Sequence, residues 1–428
     1  MPILSAILSK LPQKLSNRFV RNLSWLGLAE IISRISRLGL TVILARYLTP
    51  YDYGLAAIVS TVNEFMRVFM ESGVSTKIIQ CDRQELDTIC NSGYWLNWSI
   101  FTGLFIAQCL LAFPIAWFYR DRLTREIDLI LPICIAGIPY LMWPFAAIQS
   151  ALIVRENRLK VCAIAAVVRN LASYILSALF AIRGWGIWSF VLPWVLVTPL
   201  EIIIYRKSYP WHPTSKFTTQ AWRSILEFGK NICGVQFLRV LRNNLDYLII
   251  GRFLGMKELG IYFFGFNAGL GISLSIVTAI NTAILPHLCK AKTSILELRK
   301  SYYNALKIIS IIIFPLVILQ SSLAYLYVPI IFGRQWIVAI PVLVLICLSA
   351  IPRPFADAAS QLLVAIGKPN IDLYWNLAFT TMFAFSLLIG VHWHAIGVAA
   401  AVLIVHMLFL PVFTSWTTRH VLHQSYVK

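Results

Sequence analysis

Runs of about twenty mostly apolar residues recur along the whole length of this sequence. A run of that length crosses the hydrocarbon core of a bilayer as a helix, with every backbone hydrogen bond made internally. Composition agrees: 59% of residues are hydrophobic, 13% are charged, and the mean hydropathy is +0.74. A soluble chain of 428 residues could not enclose so much apolar surface. Alternation at the strand period is absent, which argues against an outer-membrane barrel. The expected fold is an all-α integral membrane protein of about 12 transmembrane helices, in two parallel six-helix lobes around a central cleft. The spans fall near 22–45, 53–78, 94–118, 128–153, 161–182 and 185–205, then 224–254, 261–285, 302–326, 337–366, 372–391 and 395–417.

The net charge of +19 raises the question of nucleic acid. Its placement gives a different answer. Basic residues sit in short loops between apolar runs, as the positive-inside rule distributes them, and no basic patch with interleaved aromatics stands outside those runs. With the N-terminus in the cytoplasm, the inner side receives most of the basic loop residues, among them Lys77, Arg155, Arg158, Lys160, Arg206 and Lys207. The outer side receives fewer, such as Arg46, Arg120, Arg125 and Arg252. Both termini are therefore expected to be cytoplasmic. The eight cysteines are scattered singly, so neither a disulfide framework nor a metal site is expected. Residues 1–21 pair Ile3, Ile7 and Leu11 with Lys10, Lys14, Arg18 and Arg21, which suits either an interfacial amphipathic segment on acidic lipid or a basic terminus.

The chain repeats itself. Arg46, Leu48, Asp52 and Gly54 map at a single offset onto Arg252, Leu254, Glu258 and Gly260. Leu345–Pro352 resembles Pro132–Pro139, and Gln149 and Gln361 fall at matching places. Six spans per copy make both copies enter from the same side, so the repeats are parallel. The expected division is a basic segment 1–21, a first lobe 22–206, a cytoplasmic linker 207–223, a second lobe 224–417 and a cytoplasmic tail 418–428.

Charge inside the spans is the second constraint, because a charged side chain in hydrocarbon is expensive unless it faces water or a partner. Glu30, Arg34 and Arg37 share one face of the first helix, and Glu64, Arg67 and Glu71 share one face of the second. The seventh carries Arg239, Arg242 and Asp246, and the tenth Arg353 and Asp357. These groups line an aqueous cavity, or they neutralise one another and lock helix packing. Arg169 and Glu201 are placed nearer helix ends, where long side chains reach the interface. His406, inside the last helix, reads as a packing residue before a proton relay.

In the first two helices, Ala45-Arg46-Tyr47-Leu48, Asp52-Tyr53-Gly54 and Glu71-Ser72-Gly73 before Lys77 resemble the Wzx-type polysaccharide flippases of the multidrug/oligosaccharidyl-lipid/polysaccharide exporter superfamily. That resemblance implies export of an oligosaccharide carried on undecaprenyl diphosphate from the inner to the outer leaflet of the bacterial inner membrane. The partners it implies are that glycolipid, membrane lipids and a candidate polysaccharide polymerase. No cofactor and no nucleic acid are expected. Guanidinium groups suit a diphosphate because they stay ionised and bind its oxygens as a fork. Arg34, Arg37, Arg67, Arg239 and Arg242 are then the expected substrate contacts. Glu30, Glu64, Glu71, Asp246 and Asp357 serve ion coupling or hold the arginines. In the lipid II flippases, a related branch, arginines of the first two helices line the cavity, and Arg34, Arg37 and Arg67 fall in comparable stretches.

Two other readings are weighed. An ion-coupled multidrug exporter of the same superfamily would want an acidic cavity, whereas the charged helices here are basic or balanced. A membrane polymerase or ligase would want a large outer loop with catalytic residues, and the loop at Arg120–Arg125 is short. No Walker loop, GxSxG or HExxH is present.

Overall fold

The computed structural model describes residues 30, 32–70, 73–214, 217–269, 284, 288–289 and 294–422; these are helical or loop, with no strand. Helix α1 covers 32–47, followed after a two-residue break by α2, Pro50–Met70. Then come α3 (Val74–Gln80), α4 (Leu86–Tyr119), α5 (Ile127–Ala136), α6 (Ile138–Met142), α7 (Pro144–Arg155), α8 (Leu159–Ile182) and α9 (Trp188–Ser208). The rest are α10 (Trp222–Phe253), α11 (256–269), α12 (Ile295–Ser322), α13 (Ile340–Ser349), α14 (Arg353–Ala365), α15 (Pro369–Gly390) and α16 (His394–Leu422).

Among the described residues, six segments are long and apolar enough to cross a membrane, and a bent pair brings the number to seven. The last segment, Asn370–Leu422, holds 53 residues. As one straight helix it would be about 80 Å long, more than twice a bilayer. It is instead two helices, α15 and α16, reversed over Val391–Trp393, with His394 at φ +60°. The bent pair is α5–α6 against α7, turned by 57°. Pro139 and Pro144 stand in the first turns of α6 and α7, where a missing N–H costs nothing. The long helices α2 and α10 fall outside the apolar set; these are helices that carry internal charge.

The second span departs from its expected course. In place of one helix over 53–78, α2 stops at Met70 and α3 starts after Gly73, whose φ of +93° is open to glycine at little cost. α3 then packs Val74 and Ile78 against Ile89, Ile148 and Leu152. The segment between α9 and α10 is likewise more than a tether. The Asn91 side chain accepts from the Thr214 backbone N–H at 2.8 Å and donates to its hydroxyl at 3.0 Å. Gln149 donates to the Trp211 carbonyl at 3.0 Å, and the Trp222 indole to the Ser92 carbonyl at 3.0 Å.

The chain divides into two compact units. The first comprises residues up to Leu48, Val59–Arg120 and Thr124–Leu241; the second comprises Thr49–Ile58, Asp121–Leu123 and Arg242–Lys428. In the first, Gln108 donates to Asn63 (3.1 Å) and to the Ile133 carbonyl (2.6 Å), and the Tyr140 hydroxyl also reaches Asn63 (3.1 Å). This network ties α2, α4, α5 and α6 together. In the second, the starts of α2 and α11 touch backbone to backbone. A Cβ on Gly54 would lie 1.9 Å from the Met256 carbonyl oxygen, and one on Gly260 would lie 1.7 Å from that of Pro50. Each glycine meets the residue four places before the other. That reciprocity is a local twofold between the two sequence copies. Tyr53 seals it, edge-on to Trp336 at 4.9 Å, while Trp336 stacks on Phe264 at 3.9 Å.

Candidate functional site

The charged residues of the first unit stand on α1, α2, α8, α9 and the first part of α10. Glu30 and Arg34 form the expected one-turn pair, with Arg34 Nε 2.8 Å from Glu30 Oε1. Both remain partly open, at 60% and 34% side-chain exposure. Arg37 is exposed and turns to α8, its Nε donating to the Tyr174 hydroxyl at 3.3 Å. Glu64 and Arg67 are exposed on α2, and Arg239 is exposed on α10. Glu71 lies outside the described residues. Phe65 and Phe237 meet at 5.4 Å, so α2 and α10 pack beside these charges.

Sequence reasoning set aside Arg169 and Glu201, which the structure brings together. Arg169 sits about 15 Å from the nearer end of α8, and Glu201 about 10 Å from that of α9. They pair, Arg169 Nη1 standing 3.5 Å from Glu201 Oε1. The available signal was a pair of opposite charges, one inside each of two consecutive apolar spans.

The second unit is built differently. Asp246 is buried, its Oδ2 accepting from the Tyr262 hydroxyl at 2.7 Å and its Oδ1 from the Tyr247 backbone N–H at 3.0 Å. Arg242 donates through Nη1 to Asn376 Oδ1. Asn376 in turn donates to the Asp372 carbonyl at 2.7 Å, and Ser360 donates to the Asp372 carboxylate. Arg353 has its Nε enclosed, lies 6.0 Å from the Phe266 ring centre, and stands within electrostatic reach of Asp246 and Asp357. Asp357 itself is exposed on α14. His406 is buried between Phe379 and Phe383, with Nδ1 2.6 Å from the Val402 carbonyl oxygen. That is the environment of a packed histidine. Two arginines and three aspartates thus nearly cancel on α10, α14 and α15. Chemically, the first unit presents partly or fully exposed guanidinium groups, whereas the second sets the buried Asp246 among nearly balanced charges. No cluster of metal-ligating side chains is found among the described residues.

A family model described as polysaccharide biosynthesis protein matches residues 43–341. The teichuronic acid biosynthesis protein TuaB of Bacillus subtilis is 25% identical over 334 residues, covering 76% of this chain and 67% of its own. The lipopolysaccharide biosynthesis protein WzxC of Escherichia coli is 25% identical over 406 residues, covering 92% and 80%. Among solved structures, the inward-facing conformation of a multidrug resistance MATE family transporter of the MOP superfamily superposes with a TM-score of 0.74 at 14% identity, covering 92% of this chain and 96% of that one. The lipid II flippase MurJ, in an inward closed conformation, gives 0.75 at 15% identity, covering 92% and 87%. At such identities the likeness establishes a fold, the two-lobed helical membrane fold of this superfamily. With the family model matching well over half its length, the chain belongs to the polysaccharide biosynthesis protein family.

Proposed function

We propose that this chain is a flippase for lipid-linked oligosaccharide units. It carries them on undecaprenyl diphosphate from the inner to the outer leaflet of the bacterial cytoplasmic membrane, by alternating access between lobes 22–206 and 224–417. Both termini lie in the cytoplasm, and a polysaccharide polymerase receives the product. The carrying observation is the set of guanidinium groups on helices with internal charge, Arg37, Arg67 and Arg239 exposed and Arg34 partly so. A charge in hydrocarbon costs about 2.5–3.5 kcal/mol unless it faces water or a partner, so the solvent-facing sides of these arginines suit an anionic ligand that comes and goes. A diphosphate fits them, and a cationic drug does not. Arg242 serves the same ligand from its place beside Asn376. Asp246 and Asp357 couple transport to an ion gradient, with Glu30 and Glu64 orienting the arginines.

Reconstituted protein in liposomes with a fluorescent undecaprenyl-diphosphate oligosaccharide tests this reading through leaflet exchange, with and without an ion gradient. Exchange in wild type that the gradient accelerates is the expected result. Absence of exchange for every diphosphate glycolipid, with a neutral or cationic amphiphile moved instead, would overturn it.

A further inference from the structure

The Arg169–Glu201 pair carries a consequence beyond its own geometry. Glu201 is closed off, with 7% side-chain exposure, while Arg169 keeps 43%. The lipid-facing stripe of α8 is apolar: Ile164, Val168, Ile175, Leu179 and Ile182 are all exposed. Arg169 stands about 100° round the helix from Val168, so its opening is away from that stripe. Its guanidinium is held by two side chains, each at long range. Nη1 faces Glu201 at 3.5 Å, and Nε and Nη2 face Asn170 Oδ1 at 3.4 Å each. A tight charge-assisted contact would be about 2.7–2.9 Å, so the group is oriented without being saturated, and a fork of five N–H donors has capacity left. Asn170 fixes the seam to α1 by donating to Ser33 Oγ at 3.0 Å. One turn along, Arg37 reaches Tyr174 of the same helix α8. Asn170 and Tyr174 thus tie α8 to the helix that carries Arg34 and Arg37, while the neighbouring Arg169 turns to Glu201 of α9.

Resting on the flippase reading, we propose that Arg169 is a further substrate-contacting residue, taking an oxyanion of the glycolipid, and that Glu201 is its positioning residue. The oxyanion is a phosphate of the carrier or a carboxylate of an acidic sugar. Glu201 is enclosed so that its charge aims the guanidinium without competing in solution for the ligand. Lysine in place of Arg169 keeps the charge on Glu201 and loses the fork.

The test uses purified full-length protein and three probes: a polyprenyl diphosphate without sugar, a glucuronate disaccharide without lipid, and neutral polyprenol. R169K, E201Q and the charge-neutral double variant R169Q/E201Q are compared with R34Q and wild type, with Tm recorded throughout. Should the double variant fail to fold, R169K gives the reading, because it leaves no buried charge alone. Expected is a loss of about tenfold or more for one anionic probe in R169K and R169Q/E201Q, a smaller loss in E201Q, and unchanged polyprenol binding. Loss with the diphosphate assigns Arg169 to the carrier, and loss with the glucuronate assigns it to the sugar. Partial recovery in E201D supports the positioning role. Wild-type affinity for both anionic probes in folded R169K or R169Q/E201Q, with R34Q impaired, would overturn the proposal and leave the flippase reading standing. If wild type itself prefers neither anion over polyprenol, both fail together.

Discussion

The two units treat charge in opposite ways. In the first, Arg34 pairs with Glu30, Arg37 with Tyr174, and Arg169 with Glu201 and Asn170, and each stays at least partly exposed. In the second, Asp246 is enclosed by Tyr262 and Tyr247, and Arg242 is tied to Asn376. Open guanidinium groups can be satisfied by a ligand that arrives and leaves. A nearly neutral network attracts a large anion less, and there Arg242 would have to leave Asn376 to take one. On the proposed function, the open arginines of the first unit serve the substrate and Asp246 of the second serves the driving ion.

The largest effect should come from the backbone crossing within the second unit. Helices α2 and α11 start at the Gly54–Gly260 crossing, where backbone cannot rotate away from an added Cβ. Gly54→Ala or Gly260→Ala should cost about 3 kcal/mol or more, the upper range for overpacking. The readout is recovery of monodisperse protein. Both variants behaving as wild type would contradict the reciprocal contact.

Next is the enclosed side alone. Asp246→Ala strips the Tyr262 hydroxyl of its acceptor and leaves Arg353 short of a counter-charge, at a cost of about 3 kcal/mol. Thermal unfolding in detergent should show a clear fall in Tm. On the open side, R34Q/R37Q should change stability by less than about 1 kcal/mol, since half-exposed pairs contribute little, while removing most anionic substrate binding. The comparison collapses if that variant loses stability as Asp246→Ala does. Smallest is Tyr174→Phe, which removes one 3.3 Å hydrogen bond from Arg37. It should weaken diphosphate binding by roughly threefold, with Tm unmoved.

What was legible in the sequence follows the range of the interactions. The Glu30–Arg34 pair is a one-turn spacing, and local spacing survives folding. The repeat was legible because Gly54 and Gly260 answer a steric demand that glycine alone meets. Partners drawn from distant helices were not legible. Nothing in α10 announces that Arg242 will meet Asn376, or in α8 that Asn170 will meet Ser33. The Arg169–Glu201 pair was passed over because both residues were read as near helix ends, and their pairing joins two different helices. The break at Gly73 was signalled by the polar stretch Glu71-Ser72-Gly73 before Lys77, which was used for the family resemblance and not for helix bounds.

One measurement bears most directly on this division of labour. A labelled lipid-linked oligosaccharide would be titrated onto folded wild type, R34Q/R37Q and D246N, and the same three proteins assayed for gradient-driven leaflet exchange. The account predicts that R34Q/R37Q loses binding, whereas D246N binds as wild type does and loses only the response to the gradient. Intact binding in R34Q/R37Q together with lost binding in D246N would contradict it, and would move the substrate site to the second unit.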